Sequence, residues 1–287
     1  MFDWWKKFVP PLVQREVAAL VLLVGVALPL APNRFMGPHG AINPQSLVRL
    51  GIMLMLILVL SQVAQRVMGP RVGLSIMGFV AGFVSSSATI AAMGAKAQRN
   101  ETSWQRAAAA ALASNVGTIL LYPLLIVTVD PDLAWALSAP LVWAFAAAVG
   151  FAGALAWIGA RQDHVREEGV APSFGLLHAL AFVGLVCVVS VLSAALYERF
   201  GTAGIVAASA VASLADAHST AGSLANLHAS GMVDLRTALI AVVSALSTNS
   251  VTKIVMAWST GHRQFGASVT AGVLSIVAGA WLGVFLS

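Results

Sequence analysis

The sequence predicts an all-α polytopic membrane protein, and three observations carry that expectation. Hydrophobic residues make up 59% of the chain and charged residues only 9%, against about 25% charged in soluble domains. The mean hydropathy is +0.88. Apolar runs of roughly 20 residues recur from end to end, the length a helix needs to cross about 30 Å of hydrocarbon. The short alternating segments of a membrane β-barrel are not seen in the sequence.

In chain order the apolar runs fall at 17–31, 46–67, 72–96, 106–128, 134–160, 174–197, 203–228, 236–259 and 265–286. Each reads as helical, with short connections and no separate soluble domain. Ahead of the first run, Trp4, Trp5, Lys6 and Lys7 read as interface anchors. The long charged flank, with Asp3 and Glu16, argues against a cleaved signal peptide. The longest polar stretch, "GARQDHVREEGVAPS" (Gly159 to Ser173), reads as a linker between halves. The expected organisation is therefore an N-terminal anchor helix and loop over 1–45, a first membrane repeat over 46–160 and a second over 161–287. Cys187 is the one cysteine, so no intrachain disulfide can form. The net charge of +5 reads as Lys and Arg in cytoplasmic loops rather than as a nucleic-acid surface.

The halves repeat. "GLSIMGFVAGFVSSSATIAAMGAKA" (Gly73 to Ala97) aligns with "GIVAASAVASLADAHSTAGSLANLH" (Gly204 to His228) at a constant offset of 131. Ser85 then meets Asp216, Ser87 meets His218 and Thr89 meets Thr220. At offset 134, "ASNVGTILLYP" meets "STNSVTKIVMA", so that Asn115 falls on Asn249 and Thr118 on Thr252. Alanine-rich membrane helices resemble one another, but the matched positions here are polar, which favours a true internal repeat.

Charge distribution refines the topology. With nine plain spans and a cytoplasmic N-terminus, seven Lys and Arg fall inside and eight outside, which is no bias. If the third and seventh runs instead dip in and return, eleven fall inside and only Arg34, Arg49, Arg199 and Arg236 outside. The second count obeys the positive-inside rule. Residues 71–96 are enough for two half-helices that each reach about 17 Å, near the midplane. The expected architecture is seven spanning helices plus two re-entrant hairpins arranged as an inverted repeat, with nine plain spans as the alternative. The expected location is the bacterial inner (cytoplasmic) membrane, multi-pass, with the N-terminus cytoplasmic.

Two hairpin tips rich in Ser and Thr are candidates for a shared site, because non-helical backbone in lipid survives only against protein or a water-filled cavity. Helix N-termini there favour anions, while hydroxyls and freed carbonyls suit Na⁺ or a desolvated solute. The first tip offers Ser85, Ser86, Ser87 and Thr89; the second offers Asp216, His218, Ser219 and Thr220. Asp216 is the sharpest residue, since a carboxylate at the bilayer centre costs roughly 2.5–3.5 kcal/mol on insertion scales. It reads as an ion ligand or proton carrier, or else as a structural cap on the second half-helix. Lys253 shares a helix face with Asn249 and Thr252 and is a natural partner for Asp216, or else snorkels to the interface. His218 reads as a proton relay or ligand, or as a neutral bridge between helices. Asn115, Thr118, Asn249 and Thr252 line the same cavity or bond between helices.

Several chemistries are set aside. The sequence has no CxxC, HExxH, Walker or GxSxG pattern, and its six His do not cluster at metal-ligand spacing. No cofactor is expected, Asp216 is the only strong candidate for a metal ligand, and an enzyme is not expected because no nucleophile–base set is visible.

The stretches "INPQSLVRLGIMLMLILVLSQVAQRVMGPRVGL", "GFVAGFVSSSAT", "LADAHSTAGSLA" and "STNSVTK" together resemble a bacterial integral membrane domain of unknown function commonly fused to MgtC/SapB domains (domain-of-unknown-function family 4010). The resemblance covers roughly 15–287. That family's pattern reads Gly-Leu-Ser-Ser-Thr-Ala at the first tip, which Ser85, Ser86, Ser87 and Ala88 match loosely. Its second tip reads Asp-x-Asp-Ala; Asp216 and Ala217 match the end of it, but Leu214 stands at the first Asp position. Asn249 and Lys253 keep the Asn-Lys pattern. Loss of one acidic position weakens a multi-carboxylate cation site, and no MgtC-type domain precedes the resemblance, so a role in Mg²⁺ adaptation is not implied.

The expected function is a secondary active transporter that moves a small polar or charged solute or ion by alternating access, coupled to H⁺ or Na⁺. Its site is expected where the two tips meet the fourth and eighth runs. An ion channel through the same pore and a non-transporting regulator related to MgtC-type adaptation are the alternatives. The expected partners are the lipid bilayer and a small solute or ion, with no nucleic acid and a possible homo-oligomer.

Overall fold

The computed structural model describes residues 11–68, 73–160 and 176–287. The anchors Trp4, Trp5, Lys6 and Lys7, Arg71 and the linker residues 161–173 lie outside the described residues. Among the described residues the fold is helical, with one isolated antiparallel bridge between Met36 and Ile42. The helices are α1 (Pro11–Leu22), α2 (Pro44–Met68), α3 (Leu74–Gln98), α4 (Trp104–Ile126), α5 (Pro131–Ala136), α6 (Ser138–Gly159), α7 (Leu176–Ala215), α8 (Ala217–Ala229), α9 (Leu235–Thr260) and α10 (Arg263–Leu286). A π-turn at Leu23–Ala27 follows α1 directly.

Helix starts follow local chemistry. The Asn43 side chain accepts from the backbone N–H of Gln45 at 3.1 Å and Ser46 at 3.3 Å, with Pro44 opening α2. Asp130 and Pro131 repeat this arrangement at α5, where Asp130 Oδ1 accepts from Leu133 N–H at 3.0 Å. A short oxygen-bearing side chain satisfies one orphan donor, and proline fills a position whose N–H has no intrahelical partner. Ahead of α9, Asp234 accepts from the Thr237 N–H at 3.0 Å and hydroxyl at 2.6 Å. Those bonds, led by the hydroxyl, hold the Asp234 carboxyl below its ordinary value. The stability this contributes is present above the ordinary carboxylate pKa and is lost as pH falls through the lowered one. Asp234→Asn, which keeps an acceptor without the charge, is expected to flatten that acid-limb loss in thermal unfolding scans against pH.

Among the described residues seven helices are long and apolar enough to cross a membrane, with cores at Pro44–Ala64, Leu74–Gln98, Trp104–Ile126, Ser138–Gly159, Ala179–Ala215, Leu235–Thr260 and Arg263–Leu286. This is a membrane protein. The seven differ from the seven expected: they include α3 and leave out the run at 17–31, which the structure divides between α1, the π-turn and Leu28–Leu30. The sixth run and the first half of the seventh are joined in α7.

Among the described residues, Gly201, Ser85 and Asp216 interrupt the long helices or their junctions. Gly201, inside α7, has φ 60° and ψ −145°, a left-handed conformation open to glycine. The chain folds back so tightly there that a Cβ on Gly204 would strike the Leu196 carbonyl, eight residues earlier. Ser85, inside α3, is extended at φ −164° and ψ 108°. Asp216, between α7 and α8, is extended at φ −156° and ψ 121°. The two extended residues stand 131 apart, the offset at which the two sequence stretches align.

The described residues gather into two compact units that cut across the sequence halves. The first falls within Met1–Leu60, Tyr122–Ser138 and Phe174–Asn249, and the second within Ser61–Leu121, Ala139–Ser173 and Ser250–Ser287. In the first unit α8 lies along the early part of α7. Ser190 Oγ donates to Ser223 Oγ at 2.9 Å, and Gly222 sits against Leu50 and Val186. The Asn226 amide donates to the Ala41 carbonyl at 2.5 Å, tying α8 to the loop before α2.

The second unit is built on close backbone approach. The run Ala107–Ala113 of α4 is buried throughout, with Ile90, Met93, Phe265, Val269 and Val273 packed in the same core. Small side chains let helix backbones meet where lipid provides no hydrophobic drive for association. Gly78 and Gly82 of α3 lie on the backbone of Ala110 and Ser114, so close that a Cβ at either would overlap a carbonyl.

Candidate functional site

The residues singled out in the sequence fall into two groups, one in each unit. In the first unit Asp216 caps α8: its Oδ2 accepts from the Ser219 N–H at 2.7 Å. Its backbone carbonyl receives the Thr220 hydroxyl at 2.8 Å and the Ser219 hydroxyl at 3.2 Å. Its Oδ1 stands 3.5 Å from His218 Nδ1, and its side chain keeps 33% exposure. The His218 ring lies 5.3 Å from that of Tyr122, and its Nε2 is buried with no hydrogen-bond partner among the described residues. The Asn249 amide, on α9, donates to the Ser213 carbonyl at 2.8 Å.

In the second unit Ser85 caps the latter part of α3, its Oγ accepting from the Ala88 N–H at 3.2 Å. The Thr89 hydroxyl donates to the Ser85 carbonyl at 2.8 Å. The Thr118 hydroxyl, on α4, donates to the Gly82 carbonyl at 3.1 Å. Ser86 is buried and Ser87 half-buried. Asn115 donates to the Ala111 carbonyl at 3.1 Å and accepts from Lys253 Nζ at 2.7 Å. Lys253 itself is buried, with 6% exposure. Thr252 is half-buried and engaged by other groups.

The same set of bonds thus recurs around each break. An extended residue, Ser85 or Asp216, caps the following helix at the N–H three residues on. A threonine four residues on, Thr89 or Thr220, returns its hydroxyl to that residue's carbonyl. The carbonyl three residues before the break, Gly82 or Ser213, takes a side-chain donor from the long helix that follows. Interrupting a helix frees carbonyls and N–H groups that must find partners away from water, and these side chains supply them. The chemical difference lies at the cap: neutral in one unit, a carboxylate in the other.

Lys253, read from the sequence as a natural partner for Asp216 or else as a lysine that snorkels to the interface, is buried and donates to Asn115 at 2.7 Å in the second unit. In the first, Asp216 accepts from the Ser219 N–H and stands beside His218.

A family model described as a domain of unknown function (DUF4010) matches residues 46–261. The chain belongs to the DUF4010 family. The matched span contains both helix breaks, all the groups above, nearly all of α2 and the whole of α3 to α9. No curated protein and no solved structure matches the chain. DUF4010 therefore provides a family without a reaction, and the chemistry must come from the residues.

Sequence reading missed a buried histidine–carboxylate contact. His228 Nδ1, in the last turn of α8, pairs with Asp130 Oδ2, the same carboxylate that caps α5. Asp130 is 5% exposed and the His228 side chain 18%. Ninety-eight residues separate them, and only the Asp-Pro signal of a helix start hinted at Asp130. Removing one partner leaves a buried polar group unmatched and deletes a cap, so Asp130→Ala is expected to cost about 2 kcal/mol. Thermal unfolding of the purified protein checks this; an unchanged midpoint contradicts it.

Proposed function

We propose that this DUF4010 chain is a secondary active transporter for a small polar or charged solute or ion, working by alternating access and coupled to H⁺ or Na⁺ at Asp216. In this reading the segments around Ser85 and Asp216 are re-entrant hairpins of an inverted repeat. The N-terminus is cytoplasmic and the membrane is the bacterial inner membrane, as the Lys and Arg distribution favours. The observation that carries the reading is the matched pair of extended breaks at Ser85 and Asp216, with the same caps and the same hydroxyl returns. Broken helices in repeat-related positions are the usual construction of ion and substrate sites at membrane depth.

The proposed chemistry rests on Asp216. A carboxylate at the start of α8 is favoured by the free N–H groups and the helix dipole. Binding H⁺ or Na⁺ there cancels its charge, weakens its hold on the Ser219 N–H and changes the electrostatic balance of the tip. His218, 3.5 Å from Oδ1 and with Nε2 unpartnered, is positioned to pass a proton to or from the carboxylate. Ser219 and Thr220 keep the backbone of the break in place by bonding the Asp216 carbonyl.

Proteoliposomes with a pH dye in the lumen test the reading. Addition of small inorganic ions and monocarboxylates in turn is expected to shift lumen pH, or Na⁺ content, with one of them in the wild type. Asp216→Asn and Lys253→Met are each expected to diminish that flux. Normal flux in both variants contradicts the mechanism.

A further inference from the structure

The second unit holds a buried lysine that is paired with no carboxylate among the described residues. Lys253 is 6% exposed. Its ammonium has three donors, and among the described residues its one hydrogen bond goes to Asn115 Oδ1, a neutral acceptor. In this unit Glu101 is the only carboxylate among the described residues, and it is engaged by Arg99 at 2.8 Å in the loop after α3. No carboxylate among the described residues forms an ion pair with Lys253. A buried ammonium so placed takes up a counter-charge or gives up its proton.

Two further features of the unit favour the first outcome. The helix that restarts after Ser85 has first-turn N–H groups outside the regular ladder, and its cap is a neutral hydroxyl rather than a carboxylate. At its start Ser86 is buried to 5% exposure. The Thr118 bond to the Gly82 carbonyl fixes this break against α4 one turn from Asn115, the residue that holds Lys253. The other Lys and Arg residues described in this unit, Arg66, Lys96, Arg99, Arg106 and Arg263, stand near helix ends or in a loop. One buried positive charge with hydroxyl and N–H donors suits a single negative charge. A phosphate dianion ordinarily draws more than one cationic group or a full nest of N–H donors.

We infer that the second unit binds a small monovalent anion, with Lys253 as its charge partner and the Ser85–Ser86 helix start as its hydrogen-bonding wall. The inference rests on the transport reading only for its consequence that the anion is cargo or co-cargo; binding itself is measured without flux.

The test uses the purified full chain in detergent, with its thermal unfolding midpoint titrated by sodium nitrate against sodium gluconate at constant ionic strength. The wild type is expected to gain stability saturably with nitrate. In Lys253→Met the half-saturating concentration is expected to rise roughly tenfold or more, the scale of a lost charged hydrogen bond; Lys253→Arg is expected to retain binding within a few-fold. Asn115→Asp supplies the missing negative charge internally, so this variant is expected to fold and to lose its response to nitrate. Absence of a saturable response in the wild type overturns the inference, as does an equal response in Lys253→Met. A response that follows sodium rather than nitrate when the cation is exchanged overturns it too. Nitrate binding without any coupled flux leaves this site standing and removes the transport reading, whereas coupled flux with no anion response does the reverse.

Discussion

Asp216→Asn is expected to lower gradient-driven uptake in proteoliposomes on the order of a hundredfold, the scale on which a positioned proton carrier acts. The substitution isolates charge from structure. Asparagine is as good a helix cap as aspartate, and its side-chain oxygen can still accept from the Ser219 N–H, now 2.7 Å from Asp216 Oδ2. The backbone of the break is held independently, by the Ser219 and Thr220 hydroxyls on the residue-216 carbonyl. The fold should therefore survive while the titratable group disappears. Asp216→Ala removes both and is expected to lose about 1 kcal/mol of stability as well. If both variants are equally destabilised and equally inactive, the carboxylate is a cap and nothing more. Flux and thermal unfolding, measured on the same preparations, separate the two outcomes.

Gly82→Val is expected to have the largest effect on stability, on the order of 5 kcal/mol, enough to remove folded protein from detergent extracts. Even the first added carbon would lie 2.7 Å from Ser114 Cα and nearer still to its carbonyl. Backbone atoms on α4 cannot rotate out of the way as a flexible side chain can. The same displacement breaks the Thr118 bond to the Gly82 carbonyl, at 3.1 Å, and uncovers a carbonyl that the helix break has already deprived of a partner. Size-exclusion profiles of the solubilised variant check this; a monodisperse peak with an unchanged unfolding midpoint contradicts the packing account.

Much of this arrangement can be read in the residues. Composition and run length are enough for an all-helical membrane protein. The offset of 131 puts Ser85 on Asp216, and these two residues carry the extended backbone. Such breaks are legible because their chemistry is local: a short polar side chain that caps, with a threonine four residues later. The Asn-Pro and Asp-Pro starts of α2 and α5 are legible for the same reason. What escaped depends on register between distant helices. Lys253 reaches Asn115 across 138 positions, and His228 reaches Asp130 across 98. Nothing in either neighbourhood encodes the partner, because one turn of helix more or less would direct the side chain elsewhere. Length alone would let α3 cross, and its interruption rests on the single extended residue Ser85.

The central claim is that this DUF4010 chain couples movement of a small solute to an ion gradient. Its most direct test is accumulation in proteoliposomes under an imposed pH or Na⁺ gradient, followed with radiolabelled small inorganic ions and monocarboxylates. The account predicts that one of these solutes accumulates in the wild type above its electrochemical equilibrium, and that Asp216→Asn abolishes the accumulation. Strictly downhill, current-carrying passage that ignores the gradient would contradict the account and favour a channel. No movement of any of them would contradict it as well.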